Sequence, residues 1–285
     1  MTVIDFRVRL PQELRPPEPE RPPEYTDQYD AVLGVSATRD RTLDQLRQDM
    51  ADAGIGQAVV HAEYELGDPA DALNEAVALL VASEGGVVAG FGTVSLERLR
   101  PMRTVAQARR AHSLGLAGIS IQPSFFGMGI DDAGLYPLYA TATELGLIVA
   151  VHTGVNYTSS FPIVNDHPLQ LDRVACAFPG LRLVACHAGW PWVADLTAVM
   201  RKHPGVYAEF GGLAPRYVGA DDTGWSPMRR LMDSVLAGQV LFGTDWPVFP
   251  MDRARREWEQ MGLKDLTLRD LLGGNARRLL AGQPA

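Results

Sequence analysis

The chain has 285 residues, about twice the usual single-domain length, which leaves either two ordinary domains or one large α/β barrel. Its 26 Lys+Arg against 34 Asp+Glu give a net charge of −8, which argues against nucleic acid or an anionic membrane surface as a partner. With 46% hydrophobic and 21% charged residues, a sizeable core can be buried and global disorder is excluded.

Two cysteines, Cys176 and Cys186, are too few for a disulfide framework or a cysteine-based zinc site, and point to a reducing compartment, the cytoplasm. Asp5, Arg7 and Arg9 stand where a signal peptide needs an apolar run, and no stretch of about 18 apolar residues occurs. Neither export nor a membrane span is therefore expected.

Taken in chain order, short β-branched runs alternate with helical patterns. A strand over 3–8 is followed by 11–24, a segment with six prolines that disfavours helix and sheet alike, and then by a helix near 43–53. Strand and helix pairs follow at 57–61 and 71–83, 87–94 and 103–114, 118–122 and 136–145, and 147–153 and 168–177. The last three pairs are 182–187 and 192–202, 206–210 and 227–236, and 240–243 and 266–280. Asp68-Pro69 offers a helix start, and Gly54, Gly115, Gly146, Gly180 and Gly205 offer helix stops. Eight such units at a period of about 30 residues predict one α/β domain over 1–285, a single (β/α)8 TIM barrel, with a proline-rich loop at 11–35 that reads either as a stiff rim or lid or as a surface arm packing on a neighbouring subunit.

Active sites of such barrels lie at the C-terminal ends of the strands. Strand 1 ends Asp5-Phe6-Arg7-Val8-Arg9, strand 2 ends His61-Ala62-Glu63, strand 5 ends His152-Thr153-Gly154, strand 6 ends His187-Ala188-Gly189 and strand 8 ends Gly243-Thr244-Asp245-Trp246-Pro247. Period-2 alternation puts Arg7 and Arg9 on one face. At the mouth they would form a paired guanidinium site for a planar anion such as carboxylate. Glu209 is open between a buried partner for an arginine and a plain lumen hydrogen-bonder. Phe125, Phe126, Trp190 and Trp192 either wall the pocket or pack its rim. His112, His167 and His203, on helices or loops, read as solvated, and Arg253 to Arg256 as an exposed helix face.

In their order, the fragments Ile4-Asp5, Phe91-Gly92-Thr93-Val94, Leu135-Tyr136-Pro137-Leu138-Tyr139, His152-Thr153-Gly154, His187-Ala188-Gly189-Trp190-Pro191, Phe242 to Pro247 and Gly274-Asn275-Ala276-Arg277-Arg278-Leu279 span nearly the whole chain. Together they resemble the amidohydrolase superfamily, in the branch of aminocarboxymuconate semialdehyde decarboxylase and 2-pyrone-4,6-dicarboxylate lactonase. That family opens with Asp-x-His-x-His, two metal ligands; here the two positions are Arg7 and Arg9. A guanidinium has no lone pair to donate and repels a cation. The resemblance therefore implies a site without a metal cofactor. Any zinc or manganese would rest on His152, Asp245 and possibly His187.

The expected function is a metal-independent, lactonase-like hydrolase opening a lactone, amide or related bond in a small carboxylated compound. Asp245 would be the general base, His152 and His187 catalytic partners, and Arg7, Arg9, His61, Glu63 and Trp190 substrate contacts. A non-oxidative decarboxylase of a small aromatic or enoic acid is the alternative, and a pseudoenzyme binding a small anion the third reading. The resemblance also implies a homodimer or homotetramer. Substrate choice is expected in loops 11–35, 123–134, 155–167 and 213–226.

Overall fold

The computed structural model describes residues 2–17, 28, 30–34, 37–38, 40–63 and 69–283. Eight parallel strands run in sequence order: β1 (Ile4–Arg9), β2 (Gln57–His61), β3 (Val87–Gly92), β4 (Gly118–Ile121), β5 (Ile148–His152), β6 (Arg182–Cys186), β7 (Val206–Glu209) and β8 (Val240–Leu241). The sheet closes where Phe6 N donates to the Phe242 carbonyl at 2.8 Å, Asp245 N to Arg7 O at 2.9 Å and Arg9 N to Trp246 O at 2.9 Å. This is the expected (β/α)8 barrel. Parallel strands are covered on both faces, which is why their sequences read as continuous apolar runs such as Ile148-Val149-Ala150-Val151 rather than alternating ones.

The apolar residues divide into two layers. Ile4, Phe6, Val59, Phe91, Ile148, Val184 and Leu241 fill the lumen, with Ala276 and Leu279 from the last helix packed against them. Val8, Val60, Ile119, Val149 and Leu183 face outward against the helices.

The helices are α1 (Leu43–Ala53), α2 (Ala70–Ser83), α3 (Pro101–Ser113), α4 (Tyr136–Leu145), α5 (Leu169–Ala177) and α6 (Val193–Lys202). Then come α7 (Pro215–Gly219), α8 (Ser226–Met232), α9 (Met251–Glu259), α10 (Asp265–Arg269) and α11 (Asn275–Leu280). A capping box between Thr42 and Gln45 starts α1, and Gly54 ends it at φ 63°. Gly115 and Gly146 end helices the same way. Gly180 and Gly205, expected as helix stops, instead follow Pro179 and Pro204 in turns leading into β6 and β7, and adopt no left-handed φ. Asp68, the expected cap of α2, lies outside the described residues, and Pro69 in the capping position makes no side-chain cap. In the 11–35 loop, Gln12–Leu14 form a short 3-10 turn, while 18–27, 29 and 35 lie outside the described residues.

The expected helix over 266–280 is broken into α10, a π turn at Asp270–Gly274 and α11. The cause is a close approach: a Cβ on Gly273 would sit 2.7 Å from the Thr2 carbonyl. The expected helix over 227–236 stops at Met232, and α7 and α9 add turns over the barrel's C-terminal half. Arg253, Arg255 and Arg256 lie on α9 in i,i+4 ion pairs with Glu257, Glu259 and Asp252.

Buried Asn275 ties this end to the barrel, its Nδ2 donating to Ala237 O and Val240 O, both at 2.7 Å. Asn275→Ala is expected to cost about 1–3 kcal/mol for each carbonyl left buried without a donor. Denaturant unfolding with an unchanged m value checks this.

Candidate active site

A bulge in β1 builds the floor of the mouth. Pairing with β2 shifts register between Asp5 and Val8, so Phe6 packs in the lumen while Arg7 also turns inward above it. Arg7 is 1% exposed, and each of its nitrogens has a protein acceptor. Nε donates to Asp245 Oδ1 at 3.1 Å, Nη2 to Glu63 Oε1 at 2.6 Å and Nη1 to Cys186 Sγ at 3.3 Å. Arg9, one alternation further, donates from Nε to Asp245 Oδ1 at 3.1 Å and from Nη2 to Oδ2 at 2.7 Å, while its Nη1 pairs with Glu63 Oε2 at 3.2 Å. Two cations and two anions thus form one closed network.

The network decides the state of Asp245. Burial alone would raise its carboxyl, but the Arg9 and Arg7 guanidiniums outweigh burial and hold it well below the usual carboxylate range. Asp245 is therefore a poor proton acceptor with both oxygens engaged, which corrects the general-base role expected from sequence. Arg7 borders the cavity as well as the network, whereas Glu63 does not reach the cavity and is a structural partner rather than the expected substrate contact. The expected pair of uncompensated guanidiniums is balanced internally.

His152, at the end of β5, bonds through Nδ1 to Asp166 Oδ1 at 2.8 Å. Since a carboxylate only accepts, Nδ1 carries a proton, and Nε2 is the ring nitrogen left for other partners. His187, just past β6, donates from Nδ1 to Gly211 O at 2.7 Å, which again leaves Nε2 as acceptor. The two rings stand edge to face with centroids 4.9 Å apart. Burial, with His152 and Arg7 nearby, pushes His187 down to about 3, so it is neutral at physiological pH. His187, Ala188 and Asp245 hold left-handed φ of 61°, 46° and 56°, strain of the kind that functional loops store. A Cβ on Gly154 would meet the Trp190 carbonyl at 2.5 Å, so only glycine lets the β5 and β6 loops close together.

Two further acids lie buried below. Burial pushes Asp5 up to about 7, although it accepts from Thr244 N and Oγ1, at 3.1 and 2.5 Å, and so joins β1 to the β8 loop. Burial likewise pushes Glu209 up to about 8; its Oε1 accepts the Gly211 amide, so it acts as a lumen hydrogen-bonder. His61 does not reach the mouth. Its Nε2 bonds Phe6 O at 2.8 Å and its ring stacks on Phe91 at 4.4 Å, which corrects its expected substrate contact.

Above the network opens a cavity of about 620 Å³ including its open mouth. Arg7, Arg9, His152, His187, Gln122 and Asp245 form its polar side, and Leu33, Val155, Tyr157, Trp190, Leu213 and Val248 its largely apolar walls. Trp190 thus walls the pocket. Phe125 packs edge-on to His152 at 5.7 Å, Phe126 joins the outer core, and Trp192 lies against His167 at 4.7 Å. Of the three histidines expected to be solvated only His112 is exposed, since His167 and His203 pair with Asp195 and Asp172. Asp166, Gln122 and Tyr157 were not found by sequence reasoning; no spacing rule joins Asp166 to a histidine fourteen residues earlier.

A (β/α)8 barrel with histidines closing β5 and β6 and an aspartate after β8 has the architecture of an amidohydrolase-type enzyme. The chain belongs to the amidohydrolase family: the Amidohydro_2 profile, described as Amidohydrolase, matches residues 4–281. It is 24% identical over 248 residues to a 2-amino-3-carboxymuconate-6-semialdehyde decarboxylase of Dictyostelium discoideum, covering 76% of this chain and 67% of that one. An uncharacterized TIM-barrel protein, Bb4693 of Bordetella bronchiseptica, superposes with a TM-score of 0.80 at 28% identity over 99% of both chains. A dihydroxybenzoic acid decarboxylase of Polaromonas sp. with bound manganese superposes at 0.70 with 16% identity, over 98% of this chain and 97% of that one. Among the described residues no helix is long and apolar enough to cross a membrane.

The mouth residues do not fit such an ion. Both strand-1 positions are guanidiniums, Asp245 spends both oxygens on them, and His152 and His187 each offer only Nε2. Among the described residues no set of three ligating groups clusters at the mouth.

Two predictions follow from the buried charges. Arg7→Met leaves Glu63 and Asp245 undercompensated and is expected to destabilise by about 3–5 kcal/mol in equilibrium unfolding. Asp5 and Glu209 are raised from 3.8 and 4.5 to about 7 and about 8, so their stabilisation is complete below the lower values and lost as pH rises through the upper ones. His61 and His187 fall from 6.5 to about 3, so theirs is present above 6.5 and lost as pH falls toward 3. The four offset between 4.5 and 6.5 and stability falls on either side. In pH-dependent unfolding, Glu209→Gln should flatten the alkaline limb and leave stability rising with pH between 4.5 and 6.5, where one falling contribution then faces two rising ones.

Proposed function

We propose that the protein is a non-oxidative decarboxylase of a small aromatic or enoic acid, with His152 as the proton donor and no divalent metal in the reaction. One observation carries this reading: Asp245 is locked between two arginines while the His152–Asp166 pair opens onto the same cavity. Hydrolysis through Asp245 needs a base able to take a proton from water, and a carboxylate held so far down is unsuited to that task. The decarboxylases among the relatives support the same direction.

The residues divide the work as follows. The substrate carboxylate lies against the apolar walls, where it loses hydration, and a neighbouring oxygen faces Arg9 and Gln122. His152 takes up a proton on Nε2 from solvent and delivers it to the carbon bearing the carboxylate. The electron pair of the breaking carbon–carbon bond returns to the substrate framework, and carbon dioxide leaves. Asp166 holds the His152 ring in place and faces the positive charge it carries before transfer. Neutral His187 offers a lone pair to a substrate hydroxyl.

Turnover of a panel of small aromatic and enoic acids in deuterium oxide is expected to release carbon dioxide and place one deuterium at the vacated carbon. His152→Ala should lower kcat by about 10²–10⁴, and chelation should leave the rate unchanged. Release of a ring-opened or amine product without gas would restore the hydrolytic reading. Binding with no turnover of any acid would mark a non-catalytic anion binder.

A further inference from the structure

The strongest unassigned chemistry lies outside the barrel, between α5 and α6. Asp172 and Cys176 stand four residues apart on one face of α5, and His203 ends α6 beside them. His203 Nε2 is 2.7 Å from Asp172 Oδ1 and 4.0 Å from Cys176 Sγ, and one ligand atom from each residue lies within 4.8 Å of the others. Elsewhere among the described residues no other three side chains of these types come so close.

A cation already sits in this cluster. Lys202 Nζ is 2.7 Å from Asp172 Oδ1 and 3.6 Å from Cys176 Sγ, so two of the three groups already face a positive charge. Its side chain is 56% exposed and can swing into solvent at little cost.

We propose that Asp172, Cys176 and His203 form a surface site for a borderline transition-metal ion such as zinc, with Lys202 holding the place of the ion in its absence. One oxygen, one sulfur and one nitrogen suit zinc, and their exposure leaves the fourth position to water. Bonds of about 2.0–2.3 Å place tetrahedral ligand atoms about 3.3–3.6 Å apart. The sulfur and imidazole therefore close slightly, and the carboxylate opens from its hydrogen bond. The Cys176 thiol proton passes to solvent as the thiolate binds, the neutral His203 ring gives up its Nε2 proton and carries one on Nδ1 so that Nε2 can ligate, and the Lys202 ammonium moves out with its proton. The bound ion clips α5 to α6 on the outer wall, away from the mouth.

The test uses tag-free full-length protein titrated with cobalt(II) and then zinc(II). A thiolate-to-cobalt charge-transfer band that zinc abolishes is expected in the wild type and absent in Cys176→Ser, which leaves only the buried Cys186 thiol. His203→Ala should weaken binding by at least the roughly 10–100-fold seen for losing a group one step removed from an ion. Lys202→Met, which keeps all three ligands and removes the competing ammonium, should tighten it. Absence of the band in both the wild type and Lys202→Met, or an undiminished band in Cys176→Ser, would overturn the site. None of these residues lies at the mouth, so the result is independent of the decarboxylase reading.

Discussion

Four charges taken out of water together govern this barrel mouth. Arg7, Glu63 and Asp245 are almost wholly enclosed, and each would be costly to bury alone. They coexist because every charge faces its opposite at hydrogen-bond distance, with Arg9 closing the set from the cavity side. The arrangement also holds the fold together, since β1, β2 and the β8 loop each contribute members. Backbone bonds between Asp245 and Arg7 and between Arg9 and Trp246 run along the same seam.

That balance reassigns the chemistry. A carboxylate held by two guanidiniums keeps its charge but loses its basicity, so Asp245 positions and neutralises where a freer aspartate would exchange protons. In the proposed reaction, proton transfer passes to the histidines outside the network. His152 has Nδ1 engaged by Asp166 and His187 has Nδ1 engaged by a backbone carbonyl, so each leaves Nε2 for other partners. The arginines thus fill the part of the mouth that a cation would need, with a charge that cannot leave.

The fold was legible because its signals are local and repeated. Strands buried on both faces must be apolar throughout, and helices facing them must stop where a left-handed residue such as Gly54 or Gly146 permits. Misses came where contact between distant segments overrode local preference. The helix expected over 266–280 breaks because Gly273 must pass close to Thr2, and Gly180 and Gly205 serve turns set by the prolines before them. At the site, Arg9, His152, His187, Trp190 and Asp245 were read from strand ends and do gather at the cavity. His61 ends a strand too, but its ring faces the lumen.

The sequence by itself determined the eight-unit barrel, the strand ends that carry polar groups, and the two arginines at alternate positions of the first strand. These follow from periodicity and residue type, which act over a few neighbours. Only the tertiary structure decided what those groups do. Whether an arginine meets substrate or Asp245, whether His152 finds Asp166, and whether Asp172, Cys176 and His203 converge all depend on burial and on distances between segments far apart in the chain. Those quantities set charge state and basicity, and no local pattern contains them.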